Sequence, residues 1–148
     1  MQGNRNWPRA IKWVALLVFI PDVLYASGWF AMDVLARLSL WPRDWNAIDI
    51  YGFIATHPLW AEMIFFVGLG FKIAALVQMI RSRLSAISLL AVAVVLHFAD
   101  WVLLTANGYY SATLDGGLQI MTGIVALACQ VYLHLSGALT GRSLIPGR

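Results

Sequence analysis

Only Arg81, Ser82 and Arg83 separate two apolar stretches of this chain, 59–80 and 84–106. Each is about as long as a helix must be to cross the hydrocarbon core of a bilayer. A link that short makes the two antiparallel neighbours, and it sets the pattern for the rest of the sequence. Two more apolar stretches of similar length, 11–32 and 118–139, flank the pair. Asn107, Gly108, Asp115, Gly116 and Gly117 break the chain before the last of them with turn-forming residues. Charged residues make up 11% of the chain against about a quarter in soluble domains. With a mean hydropathy of +0.76, that excludes an ordinary water-soluble fold. The expectation is an all-α fold: one integral membrane domain, 1–148, built as a four-transmembrane-helix bundle.

Basic residues orient the bundle. Arg5, Arg9 and Lys12 precede the first span, Arg81 and Arg83 lie between the second and third, and Arg142 and Arg148 follow the fourth. In a four-span chain all of these share one side, leaving Arg37 and Arg43 on the other, so the positive-inside rule puts both termini in the cytoplasm. The outer loop, 33–58, mixes apolar and polar residues and is expected to lie on the membrane surface as one or two short helices. Asp33, Asp44, Asp49, Glu62 and Asp115 all fall outside. Trp29, Trp41, Trp45, Trp60 and Trp101, with Tyr51, Tyr109 and Tyr110, read as an outer aromatic belt, and Trp7 and Trp13 as an inner one.

The N-terminal segment also imitates a cleavable secretory signal, with basic residues, "WVALLVFI" and then "YASG". Pro21 and Asp22 interrupt its apolar core and hydrophobicity resumes afterwards, which favours a retained first span. Basic residues occur in ones and twos with no basic run, which argues against nucleic acid as a partner. Cys129 stands alone in an apolar helix, so the chain can build neither an internal disulfide nor a CxxC redox pair. No internal repeat or low-complexity segment is visible.

Ionisable groups at membrane depth are the candidates for function, because each costs at least about 2.5 kcal/mol to insert and so faces a bundle interior or a wet cavity. At a rise of about 1.5 Å per residue, Asp22 lies about 15 Å, and Lys72 about 12 Å, from the cytoplasmic face, deep enough and close enough in level to pair. Lys72 has the alternative of snorkelling to the headgroups. His97 lies about 19 Å up the third helix, with Asp100 one turn further out. Residues three apart share a helix face, so those two point into one seam. Pro21 removes a backbone hydrogen bond to Leu17 and invites a kink beside Asp22. Gly68 and Gly70 suit close helix approach. Asp22, Lys72, His97 and Asp100 therefore form the expected intramembrane polar cluster, either as an interhelical clasp or as a proton relay.

Catalytic, cofactor and metal sites are not expected. His134 and His57 lie at opposite ends of the bundle from each other and away from the level of His97, so no bis-histidine haem site forms within one chain. Only at a subunit interface could His97 ligate a pigment or haem. There is no HxxxH or ExxH pair for a metal, and no nucleophile with a base or phosphate-binding loop for an enzyme. In "THPLWAE", Thr56 is expected to cap the second span, with Pro58 and Glu62 in its first turn.

The stretch "HPLWAEMIFFVGLGFKIAALVQMIRSR" (57–83), followed directly by a third span and by a fourth ending in a basic tail, resembles the small bacterial four-helix proteins of the DoxX-like group. That resemblance implies a multi-pass protein of the bacterial inner membrane. It carries over no functional residue, since Pro21–Asp22 and the His97/Asp100 pair match no signature of the group. Two functions follow. One is a non-catalytic accessory subunit of a larger membrane complex, whose partners are the lipid bilayer and other membrane subunits or a second copy. The other is a small proton-coupled transporter or exporter using Asp22, Lys72, His97 and Asp100.

Overall fold

The computed structural model describes residues 6–42, 49–106 and 114–139. All of its elements are helices: α1 (Asn6–Arg37), the short α2 (Ile50–Thr56), α3 (Leu59–Ile80), α4 (Ser85–Ala106) and α5 (Leu114–Leu135). The four long ones are long and apolar enough to cross a membrane. They close into a bundle in the order α1, α3, α4, α5, each packing on the next and α5 returning to α1. Such a bundle fits a multi-pass membrane protein.

The middle pair of helices is bounded as the sequence predicts, and the turn between them explains why three residues suffice. Ser82 takes a left-handed φ of 54°, and the Arg83 amide donates back to the Gln78 carbonyl. The chain thus satisfies its orphan carbonyls while it reverses. The outer helices differ from expectation. α1 extends five residues past each predicted end, because Val34, Leu35 and Ala36 continue its apolar pattern and Arg37 suits the negative end of the helix dipole. It also runs through Pro21 as one helix. Asp33, assigned above to the outer loop, is thus a buried helical residue. α5 starts earlier than predicted, taking Gly116 and Gly117 into its first turns, and stops at Leu135 because Gly137 adopts φ 70°.

Among the described residues the 33–58 segment holds one short helix, α2, which packs against the end of α1. Asp49 caps it by accepting from the Gly52 amide. Thr56 belongs to α2 and bonds back to the Gly52 and Phe53 carbonyls, so it does not cap α3; Pro58 holds that position without a side-chain bond.

Polarity is arranged with charge inside and apolar side chains outside. Asp22, Asp33, Glu62, Lys72, His97 and Asp100 are all buried, whereas Leu17, Leu24, Val95 and Leu118 are exposed. Between α1 and α3 the charged side chains form rungs. At one end Lys12 Nζ donates to the Ile80 carbonyl (2.8 Å) and to Ser82 Oγ (2.7 Å). In the middle Lys72 Nζ lies 3.0 Å from Asp22 Oδ1 and 2.8 Å from Oδ2. At the end that carries α2, Arg37 bridges Asp33 (3.2 Å) and Glu62. Positions 12, 22 and 33 of α1 thus meet 82, 72 and 62, with rungs about 15 Å apart. Sliding either helix by a turn would strand every one of these charges, so the rungs set the register of the antiparallel pair.

Below the middle rung lies an apolar layer of Ala15, Leu16, Phe19 and Val23 with Ala75, Met79, Ala86, Leu90 and Ala126. Breaking a buried pair by removing one partner costs about 3–5 kcal/mol, while replacing both is often near neutral. Lys72→Met is therefore expected to lower the unfolding free energy in detergent by about that much. Asp22→Leu combined with Lys72→Met should recover most of it. A double variant as unstable as the single one would show that the pair does not set this interface.

A candidate polar cavity at the α2 end

The cavity follows from where α1, α3 and α4 carry their polar residues. On α3, Glu62, Phe65, Gly68 and Lys72 recur at helical spacing on the face turned inward. On α4, His97, Asp100, Trp101 and Leu104 do the same. These faces enclose a cavity of about 90 Å³ together with Trp29 and Asp33 of α1, Ile50 and Phe53 of α2, His57 of the α2–α3 link, and Gly116 and Gln119 of α5. At about 30 Å³ per water in the liquid, that is room for about three water-sized groups.

Glycines shape the cavity's walls. A Cβ at Gly68 would stand 2.8 Å from His97 Nδ1, and one at Gly116 would overlap the Trp101 indole. Each glycine therefore admits a ring from α4. Gly70, paired with Gly68 on sequence grounds, meets nothing and makes no close approach.

Hydrogen bonding at the cavity is conspicuously incomplete. His97 Nδ1 lies 3.1 Å from the Ala93 carbonyl, which can only accept, so Nδ1 carries the proton and Nε2 of the neutral ring keeps a lone pair. Among the described residues that Nε2 has no partner, and neither do Asp33 Oδ1, Glu62 Oε1, His57 Nε2 or Trp101 Nε1. All five atoms belong to residues of the cavity wall. Asp100 also lines it and makes no hydrogen bond or ion pair with a described residue. Buried polar atoms are ordinarily paired, so a cluster of orphans around one space marks a place where something polar sits.

The expected cluster is thus brought only partly together. Lys72 pairs with Asp22 and does not snorkel; its Nζ also reaches Gln119 Oε1 at 3.4 Å. Gln119 links this pair to the cavity wall, and it lines as well a fissure of about 300 Å³ between α1 and α5, beside Pro21 and Asp22. His97 and Asp100 face the cavity and do not bond to the pair. Several cavity residues were invisible as such in the sequence. Asp33 and Glu62 looked like loop and helix-start residues, His57 like an exposed end, and Trp29 and Trp101 like belt anchors. The only available signal was that Glu62 falls ten residues before Lys72, on the same face of α3. Trp60, Trp7 and Trp13 are exposed as belt residues should be, whereas Trp45, Tyr109 and Tyr110 lie outside the described residues.

Among the described residues, no three His, Cys, Asp or Glu side chains converge closely enough to share a metal ion. The acids and histidines ring a space of molecular size instead. No protein-family model, curated protein or solved structure matches the chain. The assignment of a function therefore rests on this geometry.

His57 sits at the cavity's rim, stacked on Phe53 with ring centroids 5.0 Å apart. Burial first, and then the Arg37 guanidinium, hold its pKa below the ordinary imidazole value of 6.5, with Asp33 opposing. The unfolded chain then takes up this proton before the folded one does. The stability His57 contributes is present in full above pH 6.5 and drains as pH falls through the window beneath it. In a histidine-labelled NMR titration, the His57 ring should change charge below pH 6.5; a midpoint above that value would contradict the buried placement.

Proposed function

We propose that this chain is a small multi-pass membrane protein that binds a small polar solute in the α2-end cavity and handles it in the manner of a proton-coupled transporter. The observation that carries this reading is the set of unpartnered buried polar atoms on residues that line one space. Each orphan costs roughly 1–3 kcal/mol unless water or a guest satisfies it, and gathering them around one cavity suits a site where a polar solute replaces water. Asp22 and Lys72 lie behind the site and connect to it through Gln119, while His97 and Asp100 stand in its wall.

The positive-inside rule orients the bundle with both termini in the cytoplasm and α2 outside. The cavity then opens toward the outer face of the membrane, which in a bacterium is the outer side of the inner membrane. The apolar layer around Phe19, Met79 and Leu90 closes the way to the cytoplasm. That closure supports a second reading, as a subunit: a path across needs either parting of this layer or a second copy or neighbouring membrane subunit beside it. The DoxX-like resemblance is compatible with both readings and assigns no residue to either. Among the described residues no set of groups for bond-breaking chemistry comes together, and we read the chain as a non-enzyme.

Cysteine scanning tests both site and orientation. In a Cys129→Ala background, Leu104→Cys should react with a small charged methanethiosulfonate added from outside sealed cells and be spared by the same reagent inside inverted vesicles. Leu90→Cys, in the apolar layer, should be inert from either side. Leu104→Cys that stays unreactive from both sides would remove the solute-binding reading, and labelling only from the cytoplasm would reverse the orientation.

A further inference from the structure

Acceptors outnumber donors among the cavity's free hydrogen-bonding groups, and this points to the chemistry of its guest. Asp33 Oδ1 and Glu62 Oε1 are carboxylate oxygens, and His97 Nε2 is a lone pair because Nδ1 is committed to the Ala93 carbonyl. Asp100 adds a carboxylate with no hydrogen bond or ion pair to a described residue. Against these acceptors stand Trp101 Nε1 and the amide N–H groups of Gln119, whose Oε1 is taken by Lys72, while His57 Nε2 donates or accepts according to its tautomer. The cations nearby are already engaged: Arg37 bonds Asp33 and Glu62 through Nε and a terminal nitrogen, and Lys72 is matched by Asp22. Three acidic side chains, Asp33, Glu62 and Asp100, thus line the wall, and one guanidinium lies between two of them.

The remaining wall is aromatic. Trp29, Phe65, Phe66 and Trp101 line it, with the Phe65 ring 5.7 Å from that of His97 and 6.0 Å from that of Phe66. Aromatic faces attract desolvated cations. An anion would meet three acidic side chains and few donors. A neutral polyol would find too few donors for its own acceptors, and a bare metal ion would find no convergent ligand set among the described residues. What satisfies the inventory is a compact cation rich in N–H donors.

We propose that the cavity binds a small organic ammonium or guanidinium ion, whose N–H groups donate to acceptors among Asp33, Glu62, Asp100 and His97 Nε2 and whose body rests on Trp29, Phe65 and Phe66. This rests on the reading of the cavity as a solute site and narrows it to one chemical class. A free amine and the ethanolamine headgroup of a lipid share that chemistry.

The test is thermal unfolding of the full chain in phosphatidylcholine nanodiscs with millimolar propylammonium, tetramethylammonium, propanol or propionate. Propylammonium should raise the midpoint saturably, as any ligand confined to the folded state does. Tetramethylammonium, which has no N–H, should bind at least tenfold more weakly, and propanol and propionate should have no effect. Asp100→Asn should weaken propylammonium at least tenfold, and Phe65→Leu, which keeps every carboxylate, should weaken it severalfold. Val95→Ala, on the exposed side of α4, should leave it unchanged.

Phosphatidylethanolamine nanodiscs separate the two sources. A midpoint already raised there, with no further response to propylammonium, identifies the headgroup; equal responses in both lipids identify a free amine. Propanol or propionate acting as well as propylammonium would overturn the cation assignment and leave the solute site standing. If no probe moves the midpoint, both fall.

Discussion

The ion pair between Asp22 and Lys72 is the constraint on which the rest of the molecule depends. A carboxylate and an ammonium held 2.8 Å apart, and both buried, are tolerable at bilayer depth only because each answers the other. Their partnership ties α1 to α3 at one level. Once that level is set, helical rise brings Lys12 to the end of α3 and brings Asp33 and Arg37 to Glu62. The register of two long helices is thereby determined by charge, where lipid-facing leucines and valines would accept many alignments.

The same register divides the bundle into two halves of opposite character. On one side of the pair, small and apolar side chains, with Ala15, Ala75, Ala86 and Ala126 fully buried, pack into a dry layer. On the other, aromatic rings and acids leave space, held open by rings from α4 that fit against Gly68 and Gly116. Arg37 neutralises part of the acid charge at the mouth, and α2 folds over the end of α1 through Ile50, Met32 and Ala36. A closed floor, a partly compensated mouth and a wall of free acceptors together make a site suited to recognition, and the dry layer makes it one-sided.

Much of this was legible in the sequence, but unevenly. The α3–α4 hairpin was readable to within a residue, since apolar length and the Arg81–Arg83 link define it without reference to anything else. The pairing of Asp22 with Lys72 was readable because both sit deep in apolar runs, where an unpaired charge is expensive. Asp33 and Glu62 were not, because at a helix end a charge is cheap and its burial depends on what packs over it. That information lies in α2 and in the extra turns of α1. Trp29 and Trp101 were misjudged for the same reason: their depth suits a belt, and only the rotation of each helix decides whether an indole faces lipid or cavity. His97 and Asp100 were correctly grouped on one face, yet their spacing gave no hint that they line a space and do not join the ion pair.

The most direct measurement is solid-state NMR of the full chain in lipid bilayers, with nitrogen–carbon recoupling between the Lys72 ammonium and the Asp22 carboxyl. A strong correlation between Lys72 Nζ and Asp22 Cγ, as the 2.8 Å contact requires, is the predicted result. A Lys72 ammonium that instead correlates with lipid phosphate, with no contact to Asp22, would mean that it snorkels, and would contradict both the charge-set register of α1 on α3 and the link of the pair to the cavity wall through Gln119.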